Sequence, residues 1–435
     1  MDKKLTKFLK KTVEWFFYLF VFLLPWQTKL ILRPNASNFQ EISLYVSHLL
    51  LFFILIIFFV YKFRRPTDDE RISGLWLSLA GVEIGVLISF FFAADQVLAF
   101  YYYVLLLEGV GLFYLLREAT TNFGYEEAGL DKIKVFYYFF ASLFLQALLG
   151  IYQFLEQRAP ACKYLGLAAH DSNSLGVSVI EAASGRWLRA YGGLDHPNIF
   201  GGVLALSLIV AGYLLARKKM IRSKREAIES LLLFIFYFVS LFALFFTFSR
   251  SAWLALGVGL TVLLFGLILK KDRWVLGRFI ALIFFSAVMV LIVAYPYRDL
   301  LQVRIYGGTR LEEKSVTERE GYIGQAESLI GRNWIFGVGV GAGNYTMAIK
   351  DLDLVKKEYW AYQPVHNVFL LLWAETGIFS VLCFVVFIFF LIKKNRREVF
   401  SLAVMAALLV LMLLDHWLFS LPFGIIFLFF ILGLL

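Results

Sequence analysis

The stretch PVHNVFLLLWAETGIFSVLCFVVFIFFLI, residues 364–392, is apolar almost throughout, with Glu375 as its one acid and neither Lys nor Arg. It exceeds the ~20 helical residues needed to cross ~30 Å of hydrocarbon. The backbone must satisfy its own hydrogen bonds there, so a run of this kind implies a helix. The rest of the chain repeats the pattern. Of its 435 residues 60% are apolar, and the mean hydropathy is +0.75, far above that of a soluble domain. These runs predict an all-α, polytopic membrane protein. Alternating segments of ~10 residues do not appear, which argues against a β-barrel.

Twelve helices are predicted, at 13–32, 44–62, 74–93, 98–117, 135–155, 197–216, 229–248, 252–270, 279–296, 367–392, 399–418 and 421–435. Lysine and arginine in short loops set the orientation. The N-terminus holds Lys3, Lys4, Lys7, Lys10 and Lys11. Alternate loops continue the series with KFRRPTDDER (62–71), RKKMIRSKR (217–225), KKDRWVLGR (270–278) and KKNRRE (393–398). With twelve helices these loops share one side, so both termini are expected in the cytoplasm. Two long loops, 156–196 and 297–366, then face the periplasm or cell exterior. The larger lies between helices nine and ten. The net charge of +10 reads as a topology signal and not as a nucleic-acid patch.

The chain reads as one membrane domain over 1–435, without a soluble catalytic domain or an internal repeat. No small-residue cleavage site follows the first apolar stretch, so it does not read as a cleavable signal. Cys162 in an outer loop and Cys383 inside a helix are not expected to pair. No HExxH or CxxC spacing occurs, and no metal or cofactor is expected. The glycine-dense run GVGVGAGNY (337–345) lacks the GKS or GKT of a phosphate-binding loop.

One corner gathers the titratable and cationic residues. His366 begins a membrane helix directly after the large outer loop. It reads either as an interface anchor or as a general base, since an unperturbed pKa near 6.5 leaves neutral imidazole free to take a proton. Arg250, in FSRSAWLALG (248–257), interrupts two apolar helices and is either a snorkelling anchor or an anion clamp. Arg319 stands between two glutamates, so a surface ion pair competes with a ligand role. Arg189, in GRWLRAYGG (185–193), is a further candidate sugar or phosphate ligand. His196 precedes Pro197 and reads as a helix start. Glu83, Glu108 and Asp415 read as polar glue between helices. Glu375, nine residues beyond His366, falls near the opposite helix face and is not expected to orient it.

Four stretches occur in order: GGLDHPNIFGG (192–202), FSRSAWLALG (248–257), TEREGYIGQAESLIGRNWIFGVGVGAGNY (317–345) and PVHNVFLLLWAETG (364–377). Through them the chain resembles the O-antigen ligase family, within the O-antigen ligase and polymerase superfamily. The glycine-rich setting of Arg319, with Gly321 and Gly324, departs from that family's usual context. The resemblance implies a GT-C-like, metal-independent glycosyltransferase of the bacterial inner membrane. Its donor would be an undecaprenyl-diphosphate glycan and its acceptor lipid A–core or another glycan, with inversion at the anomeric carbon. It implies His366 as base and Arg250 and Arg319 as diphosphate ligands. A polymerase, or a ligase for a protein or exopolysaccharide acceptor, remains compatible with the same residues. A secondary transporter is the reading from another class, and it would call for a repeated half and midplane ionisable groups.

Overall fold

The computed structural model describes residues 3–63, 73–119, 130–218, 223–353 and 357–435. Much of the cationic loops expected at 62–71 and 217–225 lies outside them. The first helices are α1 (Lys3–Leu23), α2 (Val46–Phe63), α3 (Gly74–Phe90), α4 (Gln96–Ala119), α5 (Lys132–Glu156), α6 (Pro197–Arg217), α7 (Lys224–Thr247), α8 (Arg250–Lys270) and α9 (Arg273–Ala294). They are followed by α10 (Arg298–Tyr306), α11 (Arg310–Asn333), α12 (Ala342–Leu352), α13 (Val368–Asn395), α14 (Val399–Leu414), α15 (Trp417–Ser420) and α16 (Pro422–Leu434). Each of the twelve expected segments holds a helix. Seven helical segments are long and apolar enough to cross a membrane, while Val46–Lys62, Gly74–Phe90, Val399–Leu414 and Pro422–Leu434 are apolar but shorter. The protein is mostly helical and multi-pass.

The sheet content is small. Antiparallel hairpins pair β1 (Lys29–Arg33) with β2 (Ile42–Tyr45), β3 (Arg158–Ala159) with β4 (His170–Asp171), and β5 (Val179–Ala182) with β6 (Gly185–Leu188). The first of these corrects the helix expected to reach residue 32. Pro25 lacks an N–H and disfavours helical backbone at the residue before it, so α1 stops at Leu23. The chain then returns as β1.

The interior sits around α6, which is buried from Pro197 through Gly212 and packs on α7, α8, α9 and α14. Elsewhere α13 lies along α3, α14 along α8 and α16 along α4. Large apolar side chains on α2, α7 and α9, such as Phe52, Leu231 and Leu291, point outward. An outward apolar face of this kind suits lipid, because lipid tails are as apolar as the side chains themselves.

Two breaks shape one end of the bundle. The segment expected as one helix over 399–418 is interrupted at Asp415, where the backbone is extended (φ −153°, ψ 165°) and the carboxylate accepts the His416 N–H at 2.8 Å. In α13, Gly377 adopts φ 80°, ψ 173°. There the glycine run docks on the exposed backbone: Val338 N–H donates to the Ala374 carbonyl and Gly339 N–H to the Glu375 carbonyl, both at 2.9 Å.

The large segment 297–366 is largely helical. Along α11 the residues Glu312, Ser315, Arg319, Tyr322, Ala326 and Leu329 are partly or fully buried at alternating three- and four-residue spacing. That spacing makes one stripe on a helix, facing inward.

Candidate active site

The site assembles where the start of α6, the turn between α7 and α8, the helices α10 and α11, the start of α13 and the α14–α15 break come together. His196 caps α6, its Nδ1 accepting the Asn198 N–H at 3.1 Å, with Pro197 in the first turn. Capping was the expected role, and the ring does more: its other nitrogen lies 2.7 Å from Ser178 Oγ. Asn198, in the first turn of the helix, links two charges. Its Oδ1 accepts from Arg189 at 2.7 Å, and its Nδ2 donates to Asp415 Oδ2 at 3.2 Å.

The α7–α8 turn explains two buried arginines. Phe248 is left-handed (φ 47°), which ends α7 with carbonyls lacking helical partners. Arg189 Nε donates to the Thr247 carbonyl and Arg304 Nε to the Phe248 carbonyl, both at 2.7 Å. Cations at a helix C-terminus also complement its dipole. Arg304 bonds Glu312 Oε1 as well, and Arg250 reaches Glu312 Oε2 at 3.2 Å. Glu312 thus ties two arginines to α11.

Arg319, two turns further along the same stripe, forms no ion pair among the described residues. Glu318 pairs instead with Lys314, at 3.5 Å. Arg319 is near enough to act electrostatically on Arg189, Arg304, His366 and His416. Burial lowers the Arg304 pKa, Glu312 opposes that, and Arg250 and Arg319 repel it. Burial and then the Arg304 charge lower that of Arg189. Four arginines around one glutamate leave a net positive corner, which suits an anion with several oxygens.

His366 stands beside this corner. Its ring lies parallel to Tyr322 (centroids 5.8 Å apart, interplanar angle 7°) and edge-on to His416 at 4.8 Å. The Pro364 carbonyl is close enough to favour the protonated ring but falls short of a hydrogen bond, so Nδ1 is left without a partner. Burial lowers the His366 pKa below 6.5, Asp415 opposes the shift and Arg319 adds to it. His196 and His416 are pushed down to about 3, burial being the main cause in both. Burial raises the Asp415 pKa, but the three histidines and the His416 N–H outweigh it and the net shift is downward. At neutral pH the cluster therefore holds three neutral imidazoles around one carboxylate.

A cavity of about 410 Å³ opens onto His366, Asp415 and His416. The other walls come from the β1–β2 loop, the start of α6 and the turn at Tyr359–Gln363. His366, Asp415 and His416 place one ligand atom each within 4.8 Å of one another, a donor set that suits a divalent cation.

Of the residues singled out in the sequence, Arg250, Arg319, Arg189 and His366 all fall in this region. Arg189 is the most committed, with two donors on protein groups. Glu375 lies away from His366 and accepts the Gly341 N–H at 2.8 Å. Glu108 pairs with His48 at 3.0 Å across α2 and α4, as expected of polar glue, whereas neither oxygen of Glu83 has a hydrogen-bond partner. Sequence reasoning missed Arg304, Glu312 and His416 and gave Asp415 only a packing role. Arg304 and Leu300, both buried, are four residues apart on α10, so an arginine on an apolar helical stripe was the available signal.

Residues 235–385 match the model of a family described as O-antigen ligase. No curated protein matches the chain. The matched stretch contains Arg250, Arg304, Glu312, Arg319 and His366. His196, Asn198 and Asp415 lie outside it and join the site only through the fold. Over residues 235–385, well under half of its length, the chain is thus similar to the O-antigen ligase family.

Proposed function

We propose that the protein transfers a glycan from an undecaprenyl-diphosphate donor to a hydroxyl of an acceptor glycan, a lipid A–core sugar in the first instance, at the periplasmic face of the bacterial inner membrane. The observation that carries this reading is the placement of His366 and Asp415 between the arginine corner and the cavity. The donor diphosphate lies against Arg250 and Arg319, whose planar forks pair phosphate oxygens. Arg304 and Arg189 hold the turn that carries Arg250 and add to the field.

In the reaction the acceptor oxygen attacks the anomeric carbon as His366 takes its proton. The new bond is carbon to acceptor oxygen. The bond broken is carbon to phosphate oxygen, and undecaprenyl diphosphate leaves with the electron pair. Burial keeps His366 neutral beforehand, and the Asp415 carboxylate steadies the imidazolium as it forms. The arginines hold the charge that builds on the leaving group. Direct displacement inverts the anomeric configuration, and no metal takes part.

The test is reconstitution of the purified chain with undecaprenyl-diphosphate glycan and candidate acceptors, with products read by mass spectrometry. Glycan on lipid A–core supports the ligase reading. Glycan lengthened on the lipid carrier makes the protein a polymerase, and solute movement without transfer makes it a transporter. His366→Ala is expected to lose ~10²–10⁴ in turnover while it still inserts and binds donor.

A further inference from the structure

The cavity beside His366 differs in chemistry from the arginine corner. None of its lining residues is Arg or Lys, and its charged groups are Asp195 and Asp415. Asp195 is deep in the protein, yet its side chain is open to the cavity and its carboxylate makes no hydrogen bond among the described residues. Trp417 is 1% exposed, and its indole N–H has no hydrogen-bond partner. At the mouth, Tyr359 and Trp360 are 48% and 59% exposed, with ring planes 78° apart and centroids 5.2 Å apart. Asn38 and Gln363 complete the wall with amide groups.

This is a recognisable combination. Free aromatic faces offer flat apolar area to the C–H face of a sugar ring. Carboxylate and amide groups serve the ring hydroxyls as acceptors and donors. The volume falls within the ~300–1,000 Å³ of small-molecule pockets, enough for a short terminal saccharide. The Arg319 charge acts on His366 and His416, and Lys29 acts on Asp195 from outside the lining, but a ligand carboxylate or phosphate held at Asp195 would meet that carboxylate with no Arg or Lys in the lining itself.

We infer that this cavity is the acceptor subsite and that it selects an uncharged terminal sugar, with Trp360 and Tyr359 stacking on the ring and Asp195 bonding its hydroxyls. The inference rests on the glycosyltransferase reading for the word acceptor, but the sugar site stands on its own lining. The donor's anionic end and the acceptor's neutral sugar then approach His366 from different sides. Asp195 serves as a specificity residue by repelling acidic sugars.

The experiment uses the full chain in detergent and saturation-transfer NMR with methyl glycosides of neutral hexoses and with methyl glucuronide. The neutral glycosides are expected to give signal and the glucuronide none. Trp360→Ala, at an exposed ring whose loss leaves the core intact, should abolish the neutral signal. Asp195→Asn should admit the glucuronide. In the transfer assay Trp360→Ala should raise the acceptor KM about 10-fold or more, leaving the donor KM unchanged. Equal neutral signal from Trp360→Ala, or a parent preference for glucuronide, overturns the subsite. Neutral sugar binding that obeys these rules in a protein that transfers nothing would leave the site standing and remove the transferase reading. Normal transfer with an unchanged acceptor KM in Trp360→Ala would do the reverse.

Discussion

Asn198 donates from Nδ2 to Asp415 Oδ2 at 3.2 Å, joining the first turn of α6 to the break after α14 across 217 positions of sequence. The bond leaves the other carboxylate oxygen to accept the His416 N–H, and it fixes the negative charge beside His366. Asp415→Asn removes the charge and keeps the shape. Turnover is expected to fall by up to ~10². The pH profile gives the sharper check. His366 must be neutral to act, so activity rises as pH rises through its pKa, which burial holds below 6.5. Asp415 raises that pKa, so its removal should move the acidic limb of kcat/KM to still lower pH. A limb that stayed put, or moved up, would mean that Asp415 does not act on His366.

Arg250 and Arg319 reach the same corner from different helices. Arg250 is partly held by Glu312, while Arg319 has no ion pair among the described residues. Arg→Lys at either position keeps a positive charge and loses the two-pronged fork. Each variant is expected to lose turnover towards the ~10²–10³ seen on removal of a charge-stabilising donor. Donor affinity and turnover should be measured together. Near-normal values in both lysine variants would reduce the corner to simple positive potential.

Orientation is open to chemical labelling. Leu175 and Tyr306 are 93% and 84% exposed, one in each of the two long loops. Single cysteines there, in a chain stripped of Cys162 and Cys383, should react with an impermeant thiol reagent in cells whose outer membrane alone is permeabilised. Labelling that required lysis of the inner membrane would invert the assigned topology.

Much of the helical frame was legible because apolar runs must become helices in lipid. His196 as a cap was legible from Pro197. The end of α1 was not read, although Pro25 marks it, because the apolar run continues past the proline. The break at Asp415 was hidden by averaging, since hydropathy is high on both sides. Helix α11 was read as loop because its charges lower the mean, though the three- and four-residue spacing from Glu312 to Leu329 was present. The links from Arg189 to Asn198 to Asp415 pair distant segments, and no local pattern encodes them. For the same reason the sequence offers His366 and Arg319 only as single candidates, Asp415 only as polar glue and Glu312 not at all.

Gly377 gives a prediction about stability. Its φ of 80° is in the region that L side chains rarely adopt, and an added Cβ would lie 1.9 Å from the Ile335 carbonyl oxygen. The segment from Trp334 into the glycine run is bonded to α13 on both sides of this point, through Val338 and Gly339 before it and through Ile378 N–H to the Trp334 carbonyl at 2.9 Å after it. Gly377→Ala therefore combines ~1–3 kcal/mol of backbone strain with displacement of that run. A lower unfolding temperature in detergent is expected, larger than for Gly324→Ala on α11, where a Cβ meets nothing within 4 Å. Equal unfolding temperatures for the two variants would show that the docking of the run contributes nothing.

The last prediction separates proton chemistry from metal chemistry at the histidine cluster. His366, Asp415 and His416 offer ligand atoms within 4.8 Å of one another, which invites a cation. Ligands bound at ~2.0–2.2 Å in a tetrahedral site must converge on one point, so a spread near that limit would have to contract. The Arg319 charge acts on both rings. A positive field opposes a cation and suits a carboxylate flanked by neutral imidazoles. Dialysis of the reconstituted protein against EDTA is therefore expected to leave transfer unchanged. Loss of activity on chelation, restored by Zn²⁺ or Mg²⁺, would reassign the three residues as ligands and take the general-base role from His366.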